Sequence, residues 1–311
     1  MLAKRRDFLR HKNLVIYDSE EEYARNLMER LVLKKEIAFQ VRMFREEAGV
    51  RAFAKKEQID LLLVSEEYKR RESIEAGKVF VLTKGECKDI QEGEVPIFKY
   101  QSADEILSRM LEACLDEEDT DVPMMRKMGK GKLIGVYSPI HRIGKTRFAL
   151  NLGKEEGKKA PTLYLNLEEY AGKRGYFGEQ KAQTLEDLLY YSKQENHNLG
   201  IRIGAMVRQH GELDYIYPMP VAWDVRNVTA QEWLELFEQI LEKSIYETVI
   251  LDIGDSVQGL YEILERCDVI YTLYTQDKIA QGKLAQYEEN LLRLGHEDIL
   301  EHTKKQLAKR A

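Results

Sequence analysis

One stretch decides the fold of the second half of this chain: LIGVYSPIHRIGKT, residues 133–146. Its first five residues predict a buried β-strand, and its closing Gly-Lys-Thr predicts a helix that begins after a tight loop. Backbone N–H groups at a helix start and a lysine ammonium bind phosphate, and a neighbouring hydroxyl can bind Mg²⁺. Because Gly144, Lys145 and Thr146 supply these groups, the stretch predicts an α/β fold with a phosphate site.

The loop before Gly144 departs from the usual phosphate-loop pattern, G-x-x-x-x-G-K-[ST]. The first glycine of that pattern falls at Pro139, which has no N–H and a fixed φ. Nucleotide binding and nucleotide cleavage are therefore separate questions for this loop. The residues expected to contact a nucleotide are Arg142, Ile143, Gly144, Lys145, Thr146 and Arg147.

Length, charge and cysteine content limit the class of protein. At 311 residues, two domains of roughly 100 to 200 residues each are expected. With 48 Lys and Arg against 54 Asp and Glu, the net charge of −6 gives no general attraction to nucleic acid or anionic lipid. The cysteines Cys87, Cys114 and Cys267 are widely spaced, which predicts a reducing, cytosolic compartment. No run approaches about 18 apolar residues, so no membrane-spanning segment is expected.

The first unit, residues 1–115, alternates short apolar runs with helical patterns and so predicts a parallel α/β sheet. A capping box at Ser102 predicts the start of its last helix. An acidic run, a proline and a Gly/Lys-rich stretch mark residues 116–131 as a solvated linker. The five predicted strands are 14–17, 37–41, 61–64, 79–82 and 95–98.

The second unit, residues 132–311, also alternates and predicts a doubly wound parallel sheet. Residues 283–294 predict a helix with one buried stripe, and the basic residues 304–310 are expected to be a solvated helix end rather than a membrane-attaching tail. Helices are predicted to begin near Lys145, Thr184, Thr229 and Gln276. The predicted strands are 133–137, 162–165, 215–217, 248–251 and 269–273.

The predicted strand 248–251 is followed directly by Asp252, which the parallel order brings to the sheet edge beside the loop. A carboxylate there can orient Mg²⁺ through its waters. Thr146 and Asp252 are therefore the expected metal-site residues.

The first unit resembles the response-regulator receiver family in its β-α layout and at a few positions. Asp18 follows the first strand, Thr83 the fourth and Lys99 the fifth, as in receivers. Ser65 stands where the family has its phosphate-accepting Asp, and Ser cannot form the acyl phosphate. The resemblance implies a pseudoreceiver acting as a binding or targeting module, and the alternative is a generic flavodoxin-like domain.

The second unit resembles the MinD/ParA group of P-loop ATPases, within it the TadZ/CpaE pilus-assembly branch, which also places an atypical receiver first. That group has the loop K-G-G-x-G-K-[ST], whose first Lys reaches across a nucleotide-sandwich dimer. Here Ile140 replaces that Lys, and His141 and Arg142 replace the glycines. The resemblance implies ATP and Mg²⁺ as cofactors and a homodimer. Arg142 either supplies a cation to the phosphates or faces solvent, and His141 is assigned no role.

The MinD/ParA switch segment usually reads h-D-x-D, and Asn166 and Glu168 take the two acidic places here. The resemblance makes Lys145 and Glu168 the candidate catalytic residues, with Glu168 positioning water. Because phosphoryl transfer depends on positioning, these replacements predict weak or absent hydrolysis.

The resemblance implies a localisation or assembly factor for a type IV-like (Tad) pilus or secretion machine. Such a factor is expected in the cytoplasm, at the cell pole or peripheral to the inner membrane face. It would have protein partners of that machine, no nucleic-acid partner and at most peripheral membrane association. The alternatives are an active ParA-type ATPase that positions DNA or other cargo, and a nucleotide-insensitive scaffold with a relic P-loop. Trp223 is either an interface anchor or a core-covering aromatic.

Overall fold

A computed structural model describes residues 12–34, 39–68, 74–85, 89–115, 131–172, 176, 183–194 and 198–308. The chain forms two compact units, Met1–Met125 and Arg126–Ala311. Their division falls within the predicted linker, of which residues 116–130 lie outside the described residues.

The first unit is built on a five-stranded parallel sheet with the order β2-β1-β3-β4-β5. This is the flavodoxin-like doubly wound order, in which helices cover both faces of the sheet. The central strand β3 is accordingly apolar and buried along nearly its whole length. The elements are β1 (Lys12–Tyr17), α1 (Glu21–Val32), β2 (Phe39–Phe44), α2 (Glu47–Ala54), β3 (Ile59–Ser65), β4 (Ala76–Thr83), β5 (Glu94–Phe98) and α3 (Ala103–Leu115).

A buried ion pair closes the carboxyl edge of this first sheet. Lys99 follows β5 and reaches to Asp18 after β1, with 2.7 Å between its Nζ and the Asp18 Oδ1. The side chains are 1% and 0% exposed. The Lys99 ammonium also lies 4.5 Å from the centre of the Tyr23 ring and 3.1 Å from Glu20 Oε1. The pair therefore ties together the two strands that flank β3 and β4.

The second unit contains a seven-stranded sheet with the order β12-β11-β6-β10-β7-β9-β8, in which only the β8–β9 pair is antiparallel. The predicted α/β class with two parallel sheets is confirmed. The elements are β6 (Lys132–Tyr137), α4 (Lys145–Gly157), β7 (Thr162–Leu167), α5 (Leu185–Ser192), α6 (Leu199–Met206), β8 (Arg208–His210), β9 (Leu213–Tyr215), α7 (Ala222–Asn227), α8 (Ala230–Lys243), β10 (Thr248–Ile253), α9 (Leu260–Arg266), β11 (Val269–Tyr274), α10 (Lys278–Leu294), α11 (Asp298–Glu301) and β12 (Thr303–Leu307).

Helix α4 lies close against the sheet because Gly157, its last residue, faces the turn between β8 and β9. A Cβ atom at Gly157 would come within 2.0 Å of the Glu212 carbonyl oxygen, so no larger residue fits there. At the other end, Gly144 has φ +87°, the left-handed conformation that glycine adopts without steric cost. These two glycines fix where α4 begins and ends, and so the position of the loop before it.

Local hydrogen bonds confirm three predicted helix starts. The Thr184 and Thr229 side chains form capping boxes with Asp187 and Glu232. Before α3, the N–H of Glu105 donates to Ser102 Oγ at 3.2 Å, and the N–H of Ser102 donates back to the Glu105 carboxylate at 3.0 Å. No described helix is long and apolar enough to span a membrane.

The expectation that residues 304–310 form a solvated helix end is wrong for residues 304–307, because residues 303–307 form strand β12, and residues 309 and 310 lie outside the described residues. The edge of β11 offers unpaired backbone groups, and pairing with them outweighs the polar composition of the segment. The N–H of Ile270 donates to the His302 carbonyl at 2.9 Å, and that of Ala308 to the Tyr274 carbonyl at 2.9 Å. Likewise, the strand predicted at 215–217 ends at Tyr215, the last residue of β9, and Tyr217 makes only an isolated bridge.

We expect Lys99→Met to destabilise the first unit by about 3–5 kcal/mol, because it leaves the Asp18 carboxylate buried without its partner. Urea unfolding followed by far-UV circular dichroism measures this loss. Both tryptophans, Trp223 and Trp233, belong to the second unit, so the unfolding midpoint detected by their fluorescence should stay unchanged.

The matched control is Lys84→Met, since Lys84 pairs with Glu20 and Glu67 at the surface. A Lys99→Met loss no larger than that of the control would contradict the structural importance of the buried pair.

Candidate functional site

The loop between β6 and α4 is tied to the neighbouring strand at its first residue. Ser138 Oγ donates to the Leu273 carbonyl at 2.8 Å and accepts the N–H of Ile140 at 3.1 Å. Leu273 lies near the end of β11, so the loop starts from a fixed point on the carboxyl edge of the sheet. Ligands of open α/β sheets bind at this edge.

The loop contains one residue with two open alternatives, Arg142, and one residue without an assigned role, His141. Arg142 has φ 56° and is the only non-glycine with a left-handed backbone among the described residues. It is exposed, which favours the solvent-facing alternative for its side chain over the phosphate-facing one. His141, which was assigned no role, places its Nε2 at 3.1 Å from Asp255 Oδ2 and so joins the loop to the turn after β10.

The ammonium group of Lys145 is held by three oxygen-bearing groups at the ends of β7 and β10. It donates to the Ile253 carbonyl and lies 2.6 Å from Glu168 Oε1 and 3.8 Å from Asp252 Oδ1. Its side chain is 11% exposed. The structure therefore brings together three of the residues that the sequence singled out, Lys145, Glu168 and Asp252.

Asp252 presents one satisfied and one unsatisfied carboxylate oxygen. Its Oδ2 accepts a hydrogen bond from the Tyr164 hydroxyl at 2.9 Å, whereas its buried Oδ1 has no hydrogen-bond partner among the described residues. Burial raises the pKa of Asp252, and the charge of Lys145 together with the Thr146 side chain opposes that rise. A cation near Oδ1 would favour the ionised carboxylate.

These residues fit a Mg²⁺ ion that arrives with a phosphate. Mg²⁺ takes oxygen ligands and is usually bound through one or two protein groups plus substrate phosphates. The orphaned Oδ1 of Asp252 and the Thr146 hydroxyl at the start of α4 are such groups. No group of three or more His, Cys, Asp or Glu side chains in the described part of the chain could hold a metal ion. A Mg²⁺ here would thus depend on the phosphate oxygens.

A chain of hydrogen bonds links Asp252 to Glu168. Asn166 Nδ2 donates to the Tyr164 hydroxyl at 2.9 Å, and the N–H of Glu168 donates to Asn166 Oδ1 at 2.9 Å. Burial, followed by the charge of Asp252, raises the pKa of Tyr164 far above its ordinary value. Tyr164 escaped the sequence reasoning, although a tyrosine hydroxyl in a fully buried strand needs a partner.

A cavity of about 660 Å³ adjoins the loop. Ile143, Gly144 and Arg147, three of the residues predicted to contact a nucleotide, line it at the loop end. Its size lies within the range of small-molecule sites. The remaining wall, missed by the sequence reasoning, comes from α4 and from the ends of β11 and β12: Phe148, Asn151, Leu152, Glu155, Leu273, Gln306, Leu307 and Ala308.

The segment after β7 is joined to α7 by an ion pair between Arg226 Nε and Glu169 Oε1, at 2.7 Å. Trp223 on that helix is 65% exposed, so of the two alternatives for this residue the core-covering aromatic is wrong. The buried tryptophan of this unit is Trp233, which stacks on Phe237.

Several solved structures are similar to part of this chain. A ParA family ATPase from Chlorobium tepidum TLS is 19% identical, with a TM-score of 0.46 over 58% of this chain and 74% of its own. A plasmid partition protein from Borrelia burgdorferi is 18% identical, with a TM-score of 0.43 over 58% and 78%. The septum site-determining protein MinD from Pyrococcus horikoshii OT3, complexed with Mg-ADP, is 15% identical, with a TM-score of 0.40 over 53% and 66%. No protein-family model matches the sequence, and no curated protein is similar to it.

We expect Arg142→Gly to keep or raise the free energy of unfolding of the second unit, by up to about 1 kcal/mol, because glycine adopts the left-handed backbone without steric cost. Arg142→Val should lower it by about 1–2 kcal/mol, because a β-branched residue is strained there. Urea unfolding followed by tryptophan fluorescence measures both. If valine were tolerated as well as glycine, the left-handed conformation at this position would be refuted.

Proposed function

We propose that the second unit is a Mg²⁺-dependent ATP-binding switch with weak or absent hydrolysis. The observation that carries this proposal is the convergence of Lys145, Thr146 and the orphaned Oδ1 of Asp252 beside a helix start. An ammonium, a hydroxyl and a free carboxylate oxygen at that place suit a phosphate and the metal that accompanies it.

Each residue has a definite task in this proposal. Lys145 and the N–H groups that follow Gly144 hold the phosphates, and Thr146 and Asp252 hold the metal. Mg²⁺, when bound, neutralises phosphate charge. Ile143 and Arg147 lie where the cavity meets the loop, and the cavity is large enough for a nucleoside.

Three features support weak hydrolysis. Glu168 is engaged by Lys145 at 2.6 Å and is not free to orient water in this arrangement. The Asn166 side chain donates to the Tyr164 hydroxyl and accepts the N–H of Glu168, and it carries no negative charge. Ile140 cannot supply the cation that the resemblance to MinD/ParA ATPases would place across a dimer. Hydrolysis needs an oriented water and stabilisation of the charge that develops in the transition state, whereas ground-state binding needs neither.

For the whole chain, we infer a cytoplasmic localisation or assembly factor resembling TadZ/CpaE, which acts as an ATP-dependent homodimer on protein partners of a Tad-type pilus or secretion machine. The first unit would be the targeting module. Its support is that Ser65 is buried where receivers have their acceptor and that Asp18 already neutralises Lys99. The net charge of −6 disfavours the alternative of DNA as cargo.

Lys145→Ala should weaken binding of a fluorescent ATP analogue at least roughly tenfold, because it removes the group that bridges the phosphates. Equilibrium titration of the full chain with excess Mg²⁺ measures this. Lys158→Ala is the matched control, since Lys158 follows the same helix and pairs with Glu155 at the surface.

Equally weak binding in the unmutated protein and both variants would favour a nucleotide-insensitive scaffold and would refute the switch. Phosphate release from the same preparations separates a switch from an ATPase. A steady-state rate well above that of Asp252→Ala would contradict weak hydrolysis.

Glu168→Gln should tighten nucleotide binding by up to roughly fivefold, because the carboxylate competes with phosphate for Lys145 and a partly exposed ion pair is worth up to about 1 kcal/mol. The same titration measures it. Glu169→Gln is the control, since the next residue binds Arg226 instead and should leave affinity unchanged. Weaker binding by Glu168→Gln would mean that Glu168 helps to hold the nucleotide.

A further inference from the structure

We propose that Tyr164 is a positioning residue that aims one oxygen of Asp252 at the metal. This inference rests on the proposed Mg²⁺-nucleotide site and adds to it a residue outside the loop. Tyr164 lies in the middle of β7, is fully buried and is not one of the residues that line the cavity. Its hydroxyl donates to Asp252 Oδ2 at 2.9 Å.

Strand register explains how the hydroxyl reaches Asp252. β7 and β10 are parallel neighbours, with Tyr164 opposite Ile250 and Asn166 opposite Asp252. Side chains two residues apart on a strand point to the same face, so Tyr164, Asn166 and Asp252 share the face that α4 covers. The tyrosine ring spans the distance from the middle of β7 to the carboxyl edge, where the carboxylate stands.

Asn166 determines the direction of the hydrogen bond. Its Oδ1 accepts the N–H of Glu168, which leaves its Nδ2 to donate to the Tyr164 hydroxyl. The hydroxyl oxygen therefore accepts from Asn166, and its own proton goes to Asp252. An aspartate at position 166 could not donate, and it would place a second negative charge beside Asp252 in register.

The consequence for Asp252 is an asymmetric carboxylate. Oδ2 is occupied by Tyr164, while Oδ1 is buried, unpartnered and 3.8 Å from Lys145 Nζ. The terminal torsion of an aspartate side chain is otherwise broad and two-fold. Without the tyrosine hydroxyl, the carboxylate could rotate and bring an oxygen within hydrogen-bond distance of Lys145, closer than the 3.8 Å that now separates Oδ1 from the ammonium. In that contact, the Lys145 ammonium would compete with the metal for Asp252, and the Asp252 carboxylate would compete with the phosphate for Lys145.

The test is Tyr164→Phe in the full chain, with a Mg²⁺ titration at fixed fluorescent ATP analogue. The Mg²⁺ concentration for half-maximal nucleotide binding should rise roughly tenfold, the effect typical of losing a group that orients a metal ligand. At saturating Mg²⁺ the variant should reach the nucleotide affinity of the unmutated protein. A merely structural defect would lower that plateau and leave the midpoint in place.

Tyr246→Phe is the matched control. Tyr246 is equally buried in the same unit and donates to Asp214 Oδ2 at 3.2 Å, and neither residue lines the loop or the cavity. It should lose stability like Tyr164→Phe and keep the Mg²⁺ midpoint of the unmutated protein. Asn166→Ala breaks the same chain at its other end and should raise the midpoint about threefold or more, which keeps the test decisive if Tyr164→Phe does not fold.

The outcomes distinguish a failure of the positioning role from a failure of the proposed function. An unshifted midpoint in a Tyr164→Phe protein that binds nucleotide overturns the positioning role and leaves the proposed function standing. So does a shift of equal size in Tyr246→Phe. If the unmutated protein binds no nucleotide at any Mg²⁺ concentration, the proposed function fails and the role of Tyr164 fails with it.

Discussion

A charged carboxylate without access to water is stabilised by a cation held beside it, and the second unit is organised around this interaction. Asp252 is the next-to-last residue of β10 and is fully buried, and Lys145 brings the cation from the first turn of α4. For that, α4 must begin at the carboxyl edge of the sheet, which the left-handed Gly144 and the close approach at Gly157 secure. The start of α4 at the carboxyl edge and the ion pair at that edge thus follow from the same requirement, a cation beside Asp252.

The first unit contains a similar ion pair, Lys99 with Asp18, that is more deeply buried. Lys99 and Asp18 also meet at the carboxyl edge of a parallel sheet, but both side chains are almost completely removed from solvent. Lys145 keeps some exposure, and Gly144 before it and Arg147 two residues after it line a cavity. An ammonium with only internal partners stabilises its unit, whereas one beside an open volume can exchange an internal partner for a ligand. The two lysines therefore illustrate a structural and a functional use of the same pair of groups.

The parts that the sequence predicted well are those with a local cause. The strand before the loop, the helix start at Lys145 and the capped starts of α5 and α8 depend on neighbours within a few residues, so pattern and capping chemistry suffice. β12 was missed because its polar sequence becomes a strand only when β11 offers an edge to it. Tyr164 was missed because its role depends on the register between β7 and β10, which no short segment encodes.

The late position of β12 in the sequence bears on the order of events during synthesis. The cavity takes one wall from Ile143 and Arg147 at the start of α4 and the other from Gln306 to Ala308, after β12. A nascent chain that has formed β6, α4 and β10 already has the groups proposed to bind phosphate, yet it lacks the cavity wall that would enclose a base. If the second unit binds nucleotide as proposed, the ligand gains its contacts with the β12 wall only after residues 306–308 have left the ribosome.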